Sequence, residues 1–75
     1  MRTCWFIVIK SRDAWWVDRE GRAFGPIESL DEAIQYARRI AETQRDPGRR
    51  SQIWVPGLEG RPVLFWQEPE PRRVA

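Results

Sequence analysis

Histidine is absent from this chain, cysteine occurs once, at Cys4, and lysine once, at Lys10. Without histidine there is no imidazole base, and a lone cysteine cannot form an internal disulfide or assemble a nitrogen and sulfur metal site within one chain. No metal and no cofactor is therefore expected. Long apolar runs are missing too. The longest, residues 4–9, is six residues, against the roughly 20 of a spanning helix and the roughly 7 to 15 of a signal peptide's apolar region. The expectation is a cytoplasmic protein that makes no use of the membrane.

A large charge of one sign is the third absence. Thirteen basic residues against eleven acidic ones leave a net charge of +2, short of the excess that marks a dedicated nucleic-acid binder. The basic residues are nearly all arginine, a skew that a genome rich in G and C also produces, so their number alone is no phosphate-binding signal. What is present is aromatic: five tryptophans, within a composition 41% hydrophobic and 32% charged. Seventy-five residues make one domain near the lower limit of folding on an apolar core without disulfides or metal, so each large apolar side chain should be needed.

The chain divides into short strand-like runs on either side of one helix. Residues 4–9 are β-branched and aromatic, and the polar residues 10–13 read as a hairpin connection into residues 14–18. Glu20-Gly21 supplies a second reversal. Residues 22–27 form a third strand that Gly25 and Pro26 weaken and push to a sheet edge, because proline donates nothing to a ladder. Ser29 then reads as an N-cap, with Glu32 completing a capping box. From there Leu30, Ala33, Ile34, Ala37 and Ala41 recur at helical spacing, flanked by Tyr36 and Ile40, until Pro47-Gly48 stops the helix. Residues 52–55 and 63–66 are two further strands joined by the glycine- and proline-rich residues 56–62.

The expected architecture is therefore α+β, in the order β-β-β-α-β-β, with a single antiparallel sheet and the helix packed on one face. Residues 1–67 form the domain and residues 68–75, with alternating proline and glutamate, a flexible tail. Alternation places Trp5, Ile7 and Ile9 on one side of the first strand and Cys4, Phe6 and Val8 on the other. Both sides are apolar, as in a central strand covered on both faces. Residues 63–66 read in the same way, with Val63 and Phe65 facing opposite Leu64 and Trp66.

One helix covers one face. The second should hold some of Trp5, Trp15, Trp16, Trp54 and Trp66, and these are the candidate interaction residues. A homodimer joined sheet to sheet, or a protein partner, would cover them; the tail folding back, or tryptophans lying flat under charged stems, would serve without a partner. A nucleic-acid role is the alternative, with Arg38, Arg39, Arg45, Arg49 and Arg50 around the helix end holding phosphates. Those cations also suit the negative end of the helix dipole. No catalytic residue is assigned: Cys4 lies in the densest apolar stretch, and the carboxylates Asp31, Glu32 and Glu42 fall on the helix where capping and solvation explain them.

The order of Trp16-Val17, Glu20-Gly21, Glu32-Ala33-Ile34, Ala37-Arg38 and Ala41 resembles a family of small bacterial domains of unknown function. In that family a tryptophan-containing hairpin ending in Glu-Gly precedes a Glu-Ala-Ile helix, and a strand with a glycine turn follows. The likeness spans residues 5–65 and departs from the family in residues 47–50 and in the longer 56–62 connection. It implies strands, a helix and strands, and no activity or cofactor.

Overall fold

The computed structural model describes residues 2–45 and 48–69. Strands β1 (Arg2–Ser11), β2 (Ala14–Arg19) and β3 (Arg22–Ile27) precede helix α1 (Leu30–Thr43); β4 (Arg49–Pro56), a 3-10 turn (Leu58–Gly60) and β5 (Pro62–Gln67) follow. The five strands form one sheet in the order β3-β2-β1-β4-β5, so the fold is α+β with β1 at the centre.

Local geometry makes the first two reversals tight. Ser11 pairs with Ala14 across Arg12 and Asp13, and Arg19 pairs with Arg22 across Glu20 and Gly21. All four turn residues have positive φ, at 55°, 61°, 52° and 88° in chain order. Two-residue turns of this kind match the right-handed twist of their strands.

The sheet is mixed, not antiparallel as expected. β1 and β4 run parallel, with Cys4 opposite Ser51 and Phe6 opposite Ile53, while the other three pairings are antiparallel. Chain direction explains it. Two hairpins return β3 to the direction of β1, and the helix carries the chain back to its starting end. A strand laid beside β1 after that must point the same way.

Helix α1 begins where the sequence places it. The Ser29 hydroxyl accepts a hydrogen bond from the backbone N–H of Glu32 at 3.1 Å, and Asp31 and Glu32 occupy the first turn, where the dipole favours negative charge. Ala33, Ile34, Ala37, Ile40 and Ala41 are its buried residues. Ile40 thus belongs to the buried stripe, whereas Leu30 is only partly buried. The helix has ended by Thr43, with the Gln44 N–H donating to Ile40 O at 2.8 Å; Pro47, to which the stop was assigned, lies outside the described residues. Small alanines let α1 approach a floor of Cys4, Phe6, Val8, Val17 and Ile53, each at most 2% exposed.

The last hairpin corrects two expectations. β5 is an edge strand, not a central one. Its register shifts against β4: Trp66 lies opposite Ile53, but Leu64 lies opposite Trp54. Phe65 is the extra residue of this bulge, so Trp66 shares the helix side with Ile53 while Leu64 takes the other face. Strict alternation had put Leu64 and Trp66 together. The folded chain also continues past β5. The Glu68 N–H donates to Ser51 O, Arg50 Nε donates to Glu68 O, and Arg45 Nη2 bonds the Glu68 carboxylate at 2.7 Å. Glu68, assigned to the tail, is therefore held on the body; residues 70–75 of that tail lie outside the described residues.

Phe6 is 1% exposed and sits at the centre of the floor. Phe6→Ala should cost about 3–5 kcal/mol, a large share of the ~5–15 kcal/mol typical of a domain, and urea denaturation followed by circular dichroism measures it.

Candidate functional site

The sheet face away from α1 is assembled from four strands. On β1 it carries Trp5, Ile7 and Ile9, the residues that alternate with the buried Cys4, Phe6 and Val8. Pairing extends it sideways: Ile9 lies opposite Trp16, Ile7 opposite Asp18 and Trp54, Trp5 opposite Gln52, and Trp54 opposite Leu64. Paired residues share a face. The result is an apolar surface running from β2 to β5 with Asp18 and Gln52 as polar points within it. Trp5 is 56% exposed, and Ile9 and Leu64 are each 40% exposed.

The five tryptophans divide between the two faces. Trp15, opposite Lys10, and Trp66, opposite Ile53, lie on the helix side and pack against the core. Their outer surfaces carry cations, with Lys10 Nζ 5.6 Å from the Trp15 ring centroid and the Arg38 guanidinium 5.3 Å from that of Trp66. Trp5, Trp16 and Trp54 lie on the open face.

Two of those three are fixed by polar contacts. Trp16 Nε1 donates to Ser11 O at 3.0 Å, and Trp54 Nε1 donates to Gln52 Oε1 at 3.1 Å. The Trp16 ring lies directly over Gly25, where an added Cβ would come within 2.8 Å of the ring and 2.9 Å of the Trp15 carbonyl. Glycine is required there on both counts, since its φ is 153°. Trp5 has the largest exposure of the three and makes the face's most prominent apolar projection.

Four of the five arginines of the alternative site have partners within the chain. Arg38 pairs with Glu42 at 3.6 Å as well as stacking on Trp66. Arg45 bonds Glu68, and Arg50 holds the Glu68 carbonyl. Arg49 donates to Thr3 O at 3.0 Å and forms an ion pair with Glu20. The hydrogen bond from Arg49, with the charges of Arg49 and Arg19, keeps the Glu20 carboxyl below its ordinary pKa despite a smaller opposing effect of desolvation. Arg39 lies on the exposed side of α1, lining a shallow recess with Glu32, Gln35 and Tyr36. The five do not converge on one vacant cradle: four are engaged within the chain.

Little catalytic chemistry is gathered in the described residues. The Cys4 thiol is 2% exposed in the core. The recess between the end of α1 and β5 holds Glu42 and Glu68 together with Arg38 and Arg45, their ion-pair partners. Among the described residues, no group of three or more histidine, cysteine, aspartate or glutamate side chains could hold a metal ion, and no helix is long and apolar enough to cross a membrane.

No protein-family model, curated protein or solved structure matches the chain. The surface must therefore be interpreted from its own residues. Alternation grouped Trp5, Ile7 and Ile9 on one side of β1 without saying which side the helix takes, and it did not bring Leu64 to that group, because the bulge at Phe65 leaves no mark in the alternation.

Gly25→Ala should destabilise the protein by about 1–3 kcal/mol through combined backbone and steric strain. It should also displace the Trp16 indole from Ser11, which the chemical shift of the indole N–H reports.

Proposed function

We propose that this protein is a small noncatalytic interaction module that binds a protein surface through the sheet face opposite its helix. The observation that carries the reading is the apolar set on this face, in which Trp5, Ile9 and Leu64 are exposed and Ile7 and Trp54 are half-buried. An apolar patch of this breadth on so small a domain marks a contact surface more often than an accident of composition. Its chemistry suits an apolar protein surface, either a second copy or another protein. Tryptophan at the centre of such a patch supplies most contact area for least lost conformational freedom.

The nucleic-acid reading ranks second for a geometric reason. Stacking of bases needs aromatic rings flanked by available cations; on the open face the strands present Asp18 and Gln52 beside the rings, and the recess that holds Trp5 with Arg2 and Arg49 also holds Glu20, the ion-pair partner of Arg49. Of the arginines at the helix end, Arg38, Arg45 and Arg49 are paired with Glu42, Glu68 and Glu20.

A photoreactive side chain placed at Trp5 or, as a control, at Arg39 separates the two. Irradiation in cell extract should give protein adducts from position 5, retained at high salt, and none from position 39. Adducts to nucleic acid, or no adduct from position 5, would contradict the proposal.

A further inference from the structure

The two edges of the sheet are built differently. β3 is blunted: Pro26 has no N–H to donate and Arg22 adds a charge. These are the devices by which natural sheets prevent edge-to-edge pairing. β5, with the sequence Pro-Val-Leu-Phe-Trp-Gln, has no charged residue, and its one proline is its first residue, paired with Pro56 at the end of the ladder; each edge strand carries one register shift, so the edges differ in charge and in the place of proline.

Apolar exposure is concentrated at the same margin. Six large hydrophobic residues are exposed among those described, and four of them, Leu58, Val63, Leu64 and Phe65, lie on β5 or in the turn leading into it. Phe65 is 55% exposed and Leu58 93%. Burial of either on the body of one chain would have been favourable, at about 1.5–3 kcal/mol for a fully covered side chain. A strand edge that no described residue pairs, and along which most of the exposed large hydrophobic residues lie, is a template for another strand.

We propose that β5 pairs antiparallel with β5 of a second copy of this chain, joining two five-stranded sheets into one. The strand fits itself: a two-fold axis through its middle sets the uncharged residues Val63, Leu64 and Phe65 against the same residues of the copy, with no like charges opposed. Its lack of charge also gives a foreign peptide no electrostatic means of fixing register. The two-fold axis stands perpendicular to the joined sheet, so both helices lie on one side and both apolar faces on the other. Trp5 and Ile9 of each copy stay open. This pairing is independent of what the aromatic face binds, and it doubles that face.

The experiment measures solution mass by light scattering over a range of concentrations for the full chain, Phe65→Lys and Trp5→Glu, with circular dichroism to establish that each is folded. The full chain and Trp5→Glu should both reach about twice the 8.9 kDa chain mass, and Phe65→Lys should need at least a tenfold higher concentration to do so. In a mixture of isotope-labelled and unlabelled wild-type chains, intermolecular NOEs should connect β5 to β5, a readout that stands even if Phe65→Lys fails to fold. A wild-type monomer at every concentration overturns the proposal. So does a dimer abolished by Trp5→Glu and kept by Phe65→Lys, or one whose intermolecular NOEs run between the tryptophan faces; those two results would leave the reading of the aromatic face intact.

Discussion

The constraint on which this structure depends is the ratio of one helix to five strands. An α-helix with its side chains is about 10–12 Å across, whereas five strands at about 4.8 Å spacing span close to twice that width. Helix α1 therefore seals the middle of one face, over Cys4, Phe6, Val8, Val17 and Ile53. The margins of that face are closed by other means. Trp15 and Trp66 lean against the core from either side beneath Lys10 and Arg38, while Arg19 lies over Phe6 at 5.4 Å and reaches Gln44 at the helix end. The long cationic stems act here as apolar cover with a solvated tip.

This use of arginine changes how the charge of the chain is understood. A cluster at the end of a helix invites a phosphate, but in this fold Arg45 and Arg50 both grip Glu68, and Arg49 ties the start of β4 to Thr3 and to Glu20 in the second turn. They fasten loops and the end of β5 to the sheet. In a domain too small for a large core, such fastening at the periphery complements burial at the centre. What remains free of structural duty is the face opposite the helix and the outer margin of β5.

Much of this was legible in the sequence, for identifiable reasons. The Ser29 cap, the alanine stripe and the Glu20-Gly21 turn follow local rules, and local rules are what a sequence displays. The double-sided alternation of residues 4–9 correctly marked β1 as central and its second face as apolar. The parallel pairing of β1 with β4 was not displayed locally. It could have been derived by following chain direction through two hairpins and one helix. The bulge at Phe65 could not: a single extra residue in a ladder depends on both strands, and it moved Leu64 to the open face and Trp66 to the core. The role of Glu68 was hidden in the same way, because its partners Arg45, Arg50 and Ser51 are distant in the chain.

The central claim is that the helix covers one sheet face and leaves the other open. Its most direct test is the relaxation of the five indole signals by an uncharged paramagnetic cosolute at low protein concentration. Trp5 should be relaxed most strongly, and Trp15 and Trp66 should be shielded where they meet the core. Strong shielding of Trp5 in a monomeric chain would mean that the molecule covers this face itself, and would contradict the account.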